Sequence, residues 1–427
     1  MIPSLALGVT FIVLLISGTP VSIAMGLAAI VGFIVGKHPL YLLSQALING
    51  ANNSVLIAVF FFILAGNIMN EAGVTNRLFL TARAFVGRIK GGLAYVNIIA
   101  SMFFAGISGT ATADIASLGK VEMKAMQEAG YDKKLSIGIT IASSVVGPII
   151  PPSTTFILYS VMAEVSVARL FLAGIVPGIV IGLCLMVFTY FLIRTGKYAA
   201  PADPPRPFKD NARDAVGGLP GMATPILIII GMTTGILTPT EAGLCAIVYT
   251  FFLGLFYREL DLIKLKEVLR FSVIQGAHMV LLIAIASSMS ILLTLERTPM
   301  ELASFLLGIT TNKFIILSLI ALVLLFIGCF MSATAALLML TPVFLPLVKA
   351  VGVDPIHFGV IIGYALTIGI ATPPVGIGLY IGSDIANMPL ADVFKAILPF
   401  LIPLFIALIL IVYVPQFSLF LPNYIMK

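Results

Sequence analysis

Four oxygen-bearing side chains interrupt an apolar run: Ser108, Thr110, Thr112 and Asp114, in the stretch GISGTATAD at residues 106–114. Hydroxyl and carboxylate oxygens suit a hard cation such as sodium. An ionised carboxylate in hydrocarbon costs about 3 kcal/mol on insertion scales, so Asp114 calls for a cation, a polar cavity or a local cap. Forty residues on, GPIIPPSTT (147–155) carries Pro151 and Pro152. Two prolines remove two helix donors and disfavour helix just before them, which leaves nearby carbonyls for a cation. The helix that restarts beyond such a break has unpaired N–H groups, which attract anions. Both devices recur at GCFMSATAA (328–336) and GIATPPVGIG (369–378). Counting from Ser108 and Ser332, the counterpart of Asp114 is Leu338, so the second site would rest on carbonyls and on hydroxyls such as Thr372.

The elements that hold these groups follow from spacing and composition. Glu71, Ser108 and Pro151 are followed in the same order by Glu296, Ser332 and Pro373, at nearly the same intervals. Glu71 and Glu296 read as interfacial helix ends. A chain of 427 residues, 60% hydrophobic and 10% charged, cannot cover itself with polar surface and reads as an all-α polytopic membrane protein with roughly ten spans. The first 36 residues are either one kinked helix or two short ones, and they read as a retained first helix without a targeting peptide. With the polar linker cytoplasmic and two segments folded as non-crossing hairpins, the inferred cytoplasmic loops hold 18 Lys and Arg and the outer loops 6. That topology obeys the positive-inside rule and makes the two halves inverted. It predicts a first repeat over 1–193, with a hairpin at about 92–118 and a broken helix at about 135–165. A linker at 194–219 precedes a second repeat over 220–427, with a hairpin at about 314–349 and a broken helix at about 357–388.

Other chemistries find little support. Cys184, Cys245 and Cys329 are scattered, as are His38, His278 and His357, so neither a metal centre nor a nucleophilic triad is indicated. The net charge of +6 lies at span ends, where it orients the chain and does not mark a nucleic-acid surface. An intramembrane hydrolase built on Asp114 would need a paired acid or a nucleophile with a base. A passive channel is the other reading of broken helices. Taken alone, GISGTATAD reads equally well as close helix packing and a double proline as a kink. The recurrence of both devices in both halves favours an ion and substrate site. No Lys or Arg lies within the hairpin tips or breaks, so an anionic substrate would be held by helix starts, hydroxyls and bound sodium, with the cation binding first.

The runs FFAGISGTATADIASLG, GPIIPPS, FLAGIVPG and ATPPVGIGLY, in this order, resemble the large membrane subunit of tripartite ATP-independent periplasmic (TRAP) transporters. The resemblance covers about residues 5–421. It implies a multi-pass protein of the bacterial inner membrane, not an enzyme and without an organic cofactor, that works as an elevator. It also implies a small four-helix membrane subunit, a periplasmic binding protein and uptake of an organic acid, such as sialic acid or a four-carbon dicarboxylate, driven by two or more sodium ions. The first sodium site would involve Ser108 and the carbonyls of Gly147, Ile150 and Pro152, with Asp114 close by. The second would involve Gly328, Gly369, Thr372 and Val375. Thr110, Ser153, Thr155, Ser332 and Thr334 would meet the substrate. Many relatives are expected to carry Asn near position 365, where this chain has Ala365. A sodium-coupled carrier that works alone is the competing expectation.

Overall fold

Apolar runs become helices here, and Gly and Pro decide where they stop. The computed structural model describes residues 2–202 and 207–426, apart from the side chains of residues 106–108 and 208. Among the described residues the chain forms helices and no strand. The stretch SGTP (17–20), with Gly18 at φ +81°, separates α1 (Ile2–Ile16) from α2 (Val21–Val35). The first 36 residues are therefore two short helices, packed on each other. Next, α3 (Leu40–Ala51) and α4 (Val55–Glu71) meet at a 50° bend, and α5 (Val74–Val86) follows.

The first hairpin consists of α6 (Gly92–Ser108), α7 (Ala111–Ala116) and α8 (Leu118–Glu128). Within α8, Lys120, Lys124 and Gln127 form the exposed face of an amphipathic helix that runs to Glu128. The first broken helix is α9 (Lys133–Ser144) and α10 (Thr154–Ala163), and α11 (Val167–Arg194) closes this half. Within the linker, α12 (Phe208–Gly217) docks on α5: the Thr81 hydroxyl donates to the Asp214 carbonyl at 2.8 Å and accepts from the Gly218 N–H at 3.1 Å.

The second half runs α13 (Leu219–Thr233), α14 (Pro239–Tyr257), the 34-residue α15 (Leu262–Leu295) and α16 (Thr298–Ile309). The second tip joins α17 (Lys313–Phe330) to α18 (Ala333–Ala350). The second broken helix is α19 (Pro355–Ile370) and α20 (Ile377–Ala386), followed by α21 (Leu390–Tyr413) and α22 (Gln416–Ile425). Among the described residues seven helices are long and apolar enough to cross a membrane, or eight with the bent pair counted as one span. Roughly ten spans were expected; the shortfall arises because breaks divide other apolar runs into helices of 10–17 residues.

Two packing groups position the site. In the first, α4 lies against α14 and α15, and α3 lies along α15. In the second, α6 packs on α9 and α17 on α19, whereas α10 packs on α18 and α20 on α7. The outgoing arm of each broken helix thus meets the hairpin of the other half. A glycine stripe on α11 accommodates the first break: a Cβ at Gly174 would strike the Ile149 carbonyl, one at Gly178 the Ile150 side chain and one at Gly182 the Met102 side chain. Residues four apart share a helix face, so FLAGIVPGIVIG is a flat surface cut for GPIIPPS and α6.

Candidate functional site

Each tip is a helix restart capped by its own hydroxyl. Thr110 caps α7, its oxygen accepting from the Ala113 N–H at 3.3 Å, and Ser332 caps α18 through the Ala335 N–H at 3.4 Å. The matching caps pair TATAD with SATAA, hence Thr110 with Ser332, and the counterpart of Asp114 becomes Ala336 in place of Leu338. In this register the interval from tip to double proline is 41 residues in both halves, from Thr110 to Pro151 and from Ser332 to Pro373. The carboxylate remains unmatched.

Prolines select which carbonyls a break releases. In an unbroken helix the N–H of residue 151 would bond the carbonyl of Gly147, and that of residue 373 the carbonyl of Gly369. Neither Pro151 nor Pro373 has an N–H, so both carbonyls lose that helical partner, although the Gly369 carbonyl accepts instead from the Thr372 N–H at 3.0 Å. At the first break Asp114, 2% exposed, packs against Gly147 so closely that a Cβ there would strike Asp114 Oδ2. At the second break, a Cβ on Gly369 would lie 2.6 Å from Gly328 Cα, and one on Gly328 would lie 2.6 Å from the Leu366 carbonyl oxygen. Thr372 donates its hydroxyl to the Ile368 carbonyl at 2.8 Å, and the Gly376 N–H reaches the Cys329 carbonyl at 2.8 Å. Val375 is half-buried beside them in sequence. The structure therefore brings together Asp114 with Gly147, and Gly328 with Gly369. Ile150 and Pro152 lie within the first break, and the Ser108 side chain lies outside the described residues. The oxygen-only character of both sets fits a hard cation better than a soft transition metal.

Thr110 and Thr155 from the first half, with Ser332 and Thr334 from the second, line one cavity of about 320 Å³. Ser153 is not among its lining residues; it is fully buried, with its hydroxyl spent on the Pro148 carbonyl and on capping the Phe156 N–H at 3.2 Å. Its neighbour Thr154 joins tip to break instead, donating to the Gly109 carbonyl at 3.0 Å, where Gly109 turns at φ +64°. Ala365 is fully buried in α19 and is not among the residues that line the cavity.

Several polar residues at the cavity or behind it were assigned no substrate contact by the sequence reading. Thr112 lines the cavity, as do Ser22 of α2 and Gln275 and His278 of α15. Behind the first tip, Glu122 is 1% exposed and its neighbours form a bonded set. Asn97 donates to Thr140 Oγ1 at 2.7 Å and accepts from Ser143 Oγ at 2.7 Å, while Ser101 donates to Ser143 at 2.9 Å. A spacing of 25 residues between Asn97 and Glu122 gives no periodic signal, and only the folded hairpin unites them.

The chain matches the family described as "Tripartite ATP-independent periplasmic transporter, DctM component" over residues 8–417. It is 38% identical over 412 residues to the sialic acid TRAP transporter large permease protein SiaM of Vibrio cholerae, covering 96% of each chain. It is 37% identical over 385 residues to the C4-dicarboxylate TRAP transporter large permease protein DctM of Pseudomonas aeruginosa, covering 90% of each. Its fold is similar to that of the YdaH transporter of Alcanivorax borkumensis, with TM-score 0.63, 16% identity and coverage of 91% of this chain and 90% of that one. Another similar fold is MtrF of Neisseria gonorrhoeae, with TM-score 0.59, 13% identity and coverage of 87% and 83%. This polytopic membrane chain therefore belongs to the DctM family of tripartite ATP-independent periplasmic transporters, as a large permease component and not an enzyme.

Proposed function

We propose that this chain carries an organic acid inward across the bacterial inner membrane, coupled to two or more sodium ions. The observation that supports this most is the cavity itself: hydroxyls from both tips and one helix beyond a break converge on it, and among the described residues no Lys or Arg lines it. A volume of about 320 Å³ suits a small acid. Behind it, Asp114 and the Gly147 carbonyl would hold one sodium, with Ser108, Ile150 and Pro152 completing the set. Carbonyls of Gly328, Gly369 and Val375 with the Thr372 hydroxyl would hold another. Sodium here is cargo: each positive charge moving inward gains about 2.3 kcal/mol per 100 mV. One sodium with a monoanion moves no net charge, so concentration driven by the membrane potential needs at least two.

The two halves act as inverted repeats, each with a re-entrant hairpin and a broken helix, divided at the 194–219 linker. The interlocked group α6–α11 and α17–α22 is the moving body of an elevator, and α1–α4 with α13–α15 its frame. A small four-helix subunit enlarges that frame, and a periplasmic binding protein delivers the acid. Relatives named for sialic acid, C4-dicarboxylate and 2,3-diketo-L-gulonate transport indicate the range of acids to try. The test is uptake into proteoliposomes holding this chain and its small subunit, with the cognate binding protein outside. Sodium-driven accumulation of one of these acids that stops when the binding protein is omitted supports the proposal. Accumulation by this chain alone identifies a stand-alone symporter, and equilibration without accumulation identifies a channel.

A further inference from the structure

The cavity has a wall that the tips and breaks do not supply. It comes from α2 and α15, and its polar groups include Gln275 and His278. Three residues apart on one continuous helix, these two side chains share a face, about 4.5 Å apart along the axis. Asn67 of α4 donates to Ser272 Oγ at 2.9 Å and to Gln275 Oε1 at 3.2 Å. That bond occupies the carbonyl end of Gln275 and leaves its NH2 as the end offered to a ligand. His278 is an exposed side chain on the same wall. Among the described residues that line the cavity, it is the one whose side chain can carry a positive charge and donate from both ring nitrogens.

The tips are poorer in free backbone N–H donors than two helix starts suggest, because the Ala113 and Ala335 N–H groups are spent on the caps. The oxygens of Thr110 and Ser332 already accept from their own helices, and α7, at six residues, is too short to present a strong dipole. An acid seated at the tips alone would leave its other end facing α15 without a cationic partner. We propose that His278, with Gln275 oriented by Asn67, binds the oxygen-rich far end of the substrate and sets which acids the cavity accepts. This rests on the reading of the cavity as the acid site. It assigns selectivity to the frame as well as to the moving body, so the far-end contact is made in the state that aligns the cavity with α15 and is given up when the body moves.

The test uses the full system in proteoliposomes: this chain, its small subunit and the cognate binding protein, with labelled sialic acid, succinate and isethionate offered in turn. His278→Ala should lower uptake of the transported acid at limiting loaded binding protein by about tenfold, the loss expected for one hydrogen bond to the charged acid. It should also change the ratio of rates among the three acids. His278→Gln, which keeps a donor without the charge, should fall between. Sodium half-saturation should stay within about a factor of two, since neither proposed set of sodium ligands includes a residue of α15. Elution as a monodisperse complex checks that each variant folds. Unchanged uptake and acid ratios in His278→Ala, with uptake lost in Thr155→Val and Thr334→Val, overturn this inference alone. Unchanged uptake in all three overturns the acid site itself, as does failure of the wild type to take up any of the acids.

Discussion

At the first break a carboxylate stands against the glycine whose carbonyl the prolines release, whereas at the second that place is taken by hairpin backbone. Asp114 meets Gly147 in one half; Gly328 meets Gly369 in the other. In a medium of low dielectric the difference is large, because a cation beside Asp114 is neutralised where it sits and a cation among carbonyls is not. The second cation of the proposed pair would gain most with an anion nearby. Two sites built by the same prolines are thus expected to differ in order: the first fills with sodium independently, and the second fills together with the acid.

Steric substitutions break this comparison most sharply. Gly369→Ala forces backbone apart from backbone, which cannot yield as a side-chain end can, and should abolish uptake, with a stability loss of about 1–3 kcal/mol or more by thermal unfolding of the purified protein. Gly147→Ala meets chiefly the end of the Asp114 side chain, with the Ser144 carbonyl oxygen at 3.1 Å, so that variant should fold and change mainly in sodium dependence. Equal loss of folding in both variants would remove the contrast. Smaller is the effect expected for Thr372→Val: loss of one neutral oxygen should weaken apparent sodium affinity by about three- to tenfold, read from sodium titration of uptake. Behind the first tip, Asn97→Leu should cost about 1–3 kcal/mol by leaving buried partners at Thr140 and Ser143 unmet, with sodium titration little changed.

The least effect is expected far from both breaks. His38 hydrogen-bonds Glu296 at 2.7 Å, joining the end of α2 to the end of α15, and this bond holds the Glu296 carboxyl below its ordinary value of 4.5. A carboxyl with a depressed folded-state pKa stabilises the fold above its unfolded value and loses that contribution as pH falls through the folded value. Glu296→Gln should therefore melt about one degree or so below wild type at pH 7, with the gap closing below pH 4.5. A gap that persists in acid would show that the pair contributes by packing alone.

Legibility in the sequence followed locality. Helix starts and stops were readable because Gly, Pro, Ser and Thr act on the backbone within a few residues of themselves. Counting between serines misplaced the counterpart of Asp114 by two residues, since Ser108 precedes the turn whereas Ser332 caps the restart. Ser153 looked like a cavity hydroxyl, but a hydroxyl three residues before an N–H at a helix start caps that helix first. Gln275 and His278 were silent because nothing near them in sequence marks α15 as a cavity wall. Glu122 and Asn97 were silent for the same reason, being united by the fold of a hairpin.

Sodium titration of acid uptake, comparing wild type with Asp114→Asn and Ser108→Ala, tests the central claim most directly. Two unlike sodium sites predict a sigmoidal wild-type curve, and an Asp114→Asn curve shifted to at least about tenfold higher sodium with reduced steepness, as loss of a charged oxygen requires. Ser108→Ala should shift in the same direction by less. Superimposable curves in all three proteins would contradict a sodium site at the first break.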